Sequence, residues 1–124
     1  MSSLRQIIMD LAREPGHPNG DARHGYQLHL PLAADGRIDQ HEYEQMSSVC
    51  TVKRFRPGEE PRHGRVRRGR RGAWRFDYDD RQEFDDEDGF RLGEERFVPG
   101  EYVSIREDDG VMHTFQVISV RPWM

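Results

Sequence analysis

Residues 98–120, VPGEYVSIREDDGVMHTFQVISV, constrain the fold more tightly than any other stretch of the chain. A strand over 101–106 leads to Asp109-Gly110, a dipeptide whose members both tolerate positive φ in a two-residue reversal, and a longer strand over 112–120 runs back. This is a β-hairpin. Its second strand changes parity, because Phe115 and Val117 fall on one face while Ile118 and Val120 fall on the other. One extra residue near Val117-Ile118, a β-bulge, would return both pairs to the same side, and bulges are common where a small barrel bends.

The same alternation recurs upstream. Tyr26, Leu28, Leu30 and Leu32 alternate with Gln27, His29 and Pro31, which gives a strand with one buried face; Pro31 has no N–H for a ladder and belongs at a strand end. Residues 49–56 (VCTVKRFR) are rich in β-branched and aromatic side chains and stop at Pro57-Gly58. Residues 62–68 and 73–78 flank a Gly-bounded reversal. In the later strand Trp74, Phe76 and Tyr78 share a face, whereas Val66 is the only large apolar residue of the earlier one, which therefore reads as an edge or half-exposed strand. A further short strand is expected near 96–98.

Two helices are expected. Leu4, Ile7, Ile8 and Leu11 recur at helical spacing between a Ser3/Gln6 capping pair and Pro15-Gly16, which predicts an amphipathic helix over 3–13. After the turn at Asp35-Gly36, Asp39 as N-cap with Glu42 three residues on predicts a second, short helix carrying Tyr43 and Met46. The stretch 14–21, EPGHPNGD, consists of turn formers, and 80–89 is acidic and aperiodic. The expected fold is mainly β: an antiparallel meander of five to seven strands forming an open barrel or sandwich, with an N-terminal helix and linker over 1–22 and one small β domain over 23–124.

At 124 residues the chain has the length of a single domain, and its low apolar share, 34%, implies a thin core. No run of about eighteen apolar residues exists for a membrane-spanning helix, and the start lacks the basic-then-apolar pattern of a secretory signal. One cysteine, Cys50, has no partner for an internal disulfide. With no reactive motif around it, Cys50 reads as a small buried hydrophobe in a cytoplasmic protein.

Charge is segregated along the chain. Residues 1–76 carry 14 basic against 9 acidic side chains, and residues 77–124 carry 5 against 14. The basic residues are densest at Arg62, Arg65, Arg67, Arg68, Arg70 and Arg71, next to Trp74, a combination suited to phosphates and to stacking on unpaired bases. A net charge of −4 argues against a dedicated nucleic-acid domain and for the arginines facing the acidic stretch 77–88 of the same molecule. Asp79 to Asp88 show no EF-hand spacing, and the six histidines show no metal-ligand spacing. No metal or other cofactor is implied. Nucleophile elbow, phosphate-binding glycine loop and CxxC are all missing, which disfavours an enzyme.

The segments LHLPLAADGRID, VKRFRPGEEPRHGR and RFVPGEYVSIREDDGVMHTFQVISV resemble a small family of uncharacterised bacterial proteins of about this length, over most of the chain after residue 24. That resemblance implies no activity, ligand or functional residue. PGEYVSI is also similar to the strand openings of SH3-like and PUA-like barrels, a fold-level analogy that implies RNA or peptide binding. The leading functional expectation is a non-enzymatic binding or interaction module with a protein partner and no membrane association. The alternatives are single-stranded nucleic-acid binding through the arginine hairpin, and a small-molecule pocket or enzyme inside the barrel, floored by Tyr26, Trp74, Phe76 and Phe115.

Overall fold

The computed structural model describes residues 3–69, 73–79, 87–89 and 92–123. Eight strands follow one another around the sheet: β1 (Leu4–Leu11), β2 (Asp21–Pro31), β3 (Thr51–Phe55), β4 (Arg62–Arg68), β5 (Trp74–Tyr78), β6 (Glu87–Gly89), β7 (Tyr102–Arg106) and β8 (Met112–Pro122). Every neighbouring pair is antiparallel, and β8 returns to pair with β1. Seven of the strands make a curled half-barrel, and the three-residue β6 pairs with both β5 and β7, so the ring of neighbours closes. The sheet is a barrel and not a sandwich. One helical segment interrupts it: α1 (Gln40–Met46), running on into a 3₁₀ turn, Ser47–Val49.

The expected N-terminal helix is instead the strand β1. Ile7, Met9 and Leu11 are buried at period two, and Ile8 between them is only half-buried. The helical reading put Ile8 on the apolar face and ignored Met9; the sheet makes the opposite choice, because β1 lies between β2 and β8 and gains a ladder on both sides. For eight residues with two adjacent isoleucines, two ladders outweigh a short helix that is marginal by itself.

Of the two forms expected for residues 62–68, β4 takes the half-exposed one. It pairs with β3 and β5 and is therefore not an edge. It tolerates few apolar residues because its inward positions are Gly64 and Val66: a Cβ at Gly64 would strike the Asp77 carbonyl, so the two strands approach too closely for a side chain.

The helix expected after Asp35-Gly36 is present as α1. Asp39 is its N-cap, with the carboxylate accepting from the Glu42 N–H at 3.1 Å. Tyr43 points inward, its ring 4.8 Å from that of Trp74 and its hydroxyl donating to the Val66 carbonyl at 2.9 Å. α1 thereby covers the end of the barrel at which β2 and β4 finish and β5 begins. The bulge in β8 is where the parity change places it, but it returns only Val120 to the side of Phe115 and Val117: Ile8 faces Ser119 and Met9 faces Val117, and the unopposed Ile118 stays half exposed instead of turning to the core.

The final hairpin turns one residue earlier than the Asp-Gly signal implies. Gly110 N–H donates to the Glu107 carbonyl, so Asp108-Asp109 are the central pair and Gly110, at φ +76°, follows them. A tight turn followed by a left-handed glycine is the common three-residue hairpin form.

The interior is filled by aromatic and aliphatic side chains. Tyr26 lies 5.3 Å from Phe76 and 5.0 Å from Phe115, ring to ring, and Tyr26, Trp74, Phe76 and Phe115 are all buried. Cys50 is buried with them; its thiol donates to the Met46 carbonyl, and burial pushes its pKa up to about 11.

β1 as a strand has a direct consequence. Met9→Ala should destabilise by about 2–5 kcal/mol, the range for truncating a buried large side chain, and Ile8→Ala by clearly less. Denaturant unfolding of the two variants checks this; equal losses would return Ile8 to the core face.

Candidate functional site

Two charged constellations stand out, one at an end of the barrel and one on its outer wall. The first gathers where β1, β3, β5 and β7 finish and β2, β4 and β8 begin. Its centre is Glu107, in the turn after β7, whose carboxylate is almost wholly buried at 2% exposure. Tyr26 hydroxyl donates to Glu107 Oε2 at 2.5 Å, His24 Nε2 lies 3.0 and 3.1 Å from its two oxygens, and Arg56 Nη2 donates to Oε2 at 3.1 Å. A carboxylate only accepts, so the Nε2 of His24 carries the proton. Burial alone would raise the Glu107 pKa, but the bonds from His24 and Tyr26 and the charges of His24 and Arg56 outweigh it and hold the group at about 2.

His113 completes this cluster from β8. Its Nδ1 faces the Glu14 carboxylate at 3.0 Å and its Nε2 faces Asp109 at 2.9 Å. Both ring nitrogens meet acceptors, so both donate and the ring is an imidazolium. Burial lowers its pKa, and the bonds to Asp109 and Glu14 more than reverse that, leaving it raised. Around the rim Arg56 also holds Asp108, at 3.1 Å, and the buried Arg54 sits 3.4 Å from Asp108 with its guanidinium over the Tyr78 ring. Gly25, between His24 and Tyr26, is bare because a Cβ there would run into the Met9 carbonyl.

This constellation has general acids and bases, and its carboxylates pair with its own histidines and arginines. Among the described residues no group of three or more His, Cys, Asp and Glu has an arrangement to hold a metal ion. Its role is to close the barrel end. Sequence reasoning missed it because its members come from positions 14 to 113; the only local signal was three acids in a hairpin turn whose first residue is forced inward.

The second constellation includes the arginines singled out in the sequence. Alternation on β3, β4 and β5 sends Lys53, His63, Arg65, Arg67 and Arg75 to the outer wall. Arg67 is held by Asp77 at 2.6 Å. Arg68 lies 6.0 Å over the Trp74 ring, and Arg62 turns the other way, 4.5 Å over Tyr78 at the charged end. Arg65, Arg67, Arg68 and Arg75 line a shallow polar cavity of about 250 Å3 with Tyr43 and Ser47. Arg70 and Arg71 lie outside the described residues, as do the side chains of the expected acidic counterpart at 80–88; the backbone register sets Asp88 opposite Arg75. So four of the six arginines are placed: Arg65, Arg67 and Arg68 share that cavity, and Arg62 lies at the charged end.

A further cavity, of about 650 Å3, lies outside β1 and β8 and is lined by Asp10, Asp21, Tyr102 and Gln116 among others; burial and the neighbouring Asp21 raise the Asp10 pKa. No helix among the described residues is long and apolar enough to cross a membrane. Comparison with protein-family models, with curated proteins and with solved structures gives no match.

The Glu107 cluster sets an acid limit to stability. Its folded pKa of about 2 lies below the ordinary 4.5, so the stabilisation is complete above about pH 4.5 and is lost as pH falls toward 2, about 3 kcal/mol over that window. His113 works in the opposite sense: its raised pKa adds stability below about 6.5 that disappears as pH climbs through the folded value. Glu107→Ala should cost about 3–5 kcal/mol at pH 7, because it leaves buried donors without their acceptor. It should also flatten the acid limb of Tm against pH; an unchanged limb would remove Glu107 from this role.

Proposed function

We propose that the chain is a non-enzymatic binding module that engages an anionic partner through the outer wall of β3 to β5. The observation that carries this reading is the closure of the barrel. Tyr26, Phe76 and Phe115 fill the interior, the Glu107 cluster seals one end and Tyr43 on Trp74 covers the other. With those aromatics in ring-to-ring contact at the centre, this reading places recognition on the outside. There Lys53, Arg65, Arg67 and Arg75 project with Asp77 and Asp79 as the acids on the same wall among the described side chains. Arginines on a sheet have little freedom to retract and present fixed forks to carboxylate, sulfate or phosphate.

A heparin titration at low salt tests the reading, since heparin is a polyanion without bases or sequence. The wild type should bind saturably and release as salt rises, because surface charges are screened beyond roughly 8 Å at 0.15 M. Arg65→Glu with Arg75→Glu should weaken binding at least tenfold with Tm nearly unchanged, as exposed charges contribute little to stability. Absence of binding, or equal binding by the double variant, would refute the proposed face.

A further inference from the structure

The outer wall carries one feature that an anion-binding surface does not need. Trp123, just past β8, lies flat on His29 of β2, with ring centroids 4.3 Å apart and planes 15° from parallel. His29 is fixed from both sides: Nδ1 is 2.8 Å from Thr51 Oγ1 and Nε2 is 3.3 Å from the Gln6 side-chain nitrogen. The Gln6 amide nitrogen is a donor, so Nε2 accepts and Nδ1–H donates to Thr51; burial lowers the His29 pKa in keeping with this neutral tautomer. Trp123 is anchored through its backbone N–H to the Leu4 carbonyl at 3.0 Å, and it still has 40% of its surface exposed. A large aromatic ring is thus held in one orientation and left open to solvent.

The register places this ring beside the basic residues. Thr51, which holds His29, faces Arg65 across the β3/β4 ladder, and Lys53 faces His63 one step along. His29, Thr51 and Arg65 therefore form one row over three adjacent strands, and two strand spacings put Arg65 about 10 Å from His29. Arg67 and Arg75 continue the basic side of the wall, and Asp77, opposite Arg65, ends the row on β5.

Resting on the binding-module reading, we infer that this row is a platform for single-stranded nucleic acid, with an unpaired base stacking on Trp123 and the adjoining backbone phosphates meeting Arg65, Lys53 and Arg75. An acidic protein segment would find the same cations but would have no use for a flat, pre-set ring. Unpaired bases combine a π-face with a phosphate at short range, and sheet surfaces that pair aromatic rings with basic side chains serve that ligand.

The probes are fluorescently labelled U12 and dT12 oligonucleotides, followed by anisotropy from about 50 mM salt upward, with heparin as the base-free control. Saturable oligonucleotide binding is expected, accompanied by quenching of tryptophan emission, because Trp123 is exposed while Trp74, the second tryptophan, is buried. Trp123→Ala should weaken oligonucleotide binding about five- to hundredfold, the range for losing one base stack, and should leave heparin binding and the salt slope unchanged. Trp123→Phe should restore most of the loss, which also separates stacking from damage to the fold. Arg65→Ala with Arg75→Ala should weaken both ligands and flatten the log–log salt slope by about 0.7 per contact. Heparin binding without oligonucleotide binding would overturn this inference and leave the anionic-partner reading standing; binding of neither would overturn both. Oligonucleotide affinity equal in wild type and Trp123→Ala would remove the base platform.

Discussion

The structure turns on a carboxylate placed where water cannot reach it. Glu107 opens the last hairpin turn and points into the barrel end, where taking an ion out of water costs several kcal/mol unless its acceptor sites are filled. They are filled, by Tyr26 and His24 from β2 and Arg56 from beyond β3, and its neighbours Asp108 and Asp109 extend the network to Arg54 and to His113 of β8. One turn therefore fixes how four parts of the sheet meet. The geometry is unforgiving, since a shift of one residue in the turn would exchange Glu107 with a neighbour and leave Arg56, His24 and the Tyr26 hydroxyl without their shared acceptor.

Closure has a second consequence. A barrel this small, with a tyrosine and two phenylalanines in contact at its centre, has its interior committed to packing. The acid and base groups at the charged end are committed to one another. What the fold offers a partner is its wall, and the wall is uneven: guanidiniums cluster outside β4 and β5, an exposed tyrosine and two aspartates border a cavity outside β1 and β8, and an indole lies on His29 between them. A net negative chain can still present a locally positive face, because fields at an exposed surface are screened within about a Debye length of 8–10 Å.

Much of the fold was legible as periodicity. The β2 leucines, the Trp74-Phe76-Tyr78 face, the bulge at Ile118 and the Asp39 cap all follow from local rules that tertiary packing respected. The departures from those local rules have separate causes. Residues 4–11 fit both a helix and a strand, and the choice was made by β8, distant in sequence, which pairs with β1; residues 96–98, expected as a short strand, belong to none of the strands. Of the candidate site residues, Arg62 and Arg67 came from one hairpin strand and went to different partners, Tyr78 and Asp77, because alternate residues of a strand leave on opposite faces.

The sequence by itself determined where the chain runs extended in β2 to β5 and in the last hairpin, where Gly36 and Gly110 let it reverse, and which side chains are too apolar to stay in water. Those are properties of a residue and its near neighbours. Only the tertiary structure decided that Glu14, His24, Arg56, Glu107 and His113 share one buried network, and that Trp123 comes to rest on His29 in line with Arg65. Pairing β8 with β1 joins the two ends of the chain, and curling the sheet joins strand ends that are far apart in sequence. Register, which carries no local signature, then sets which of them touch.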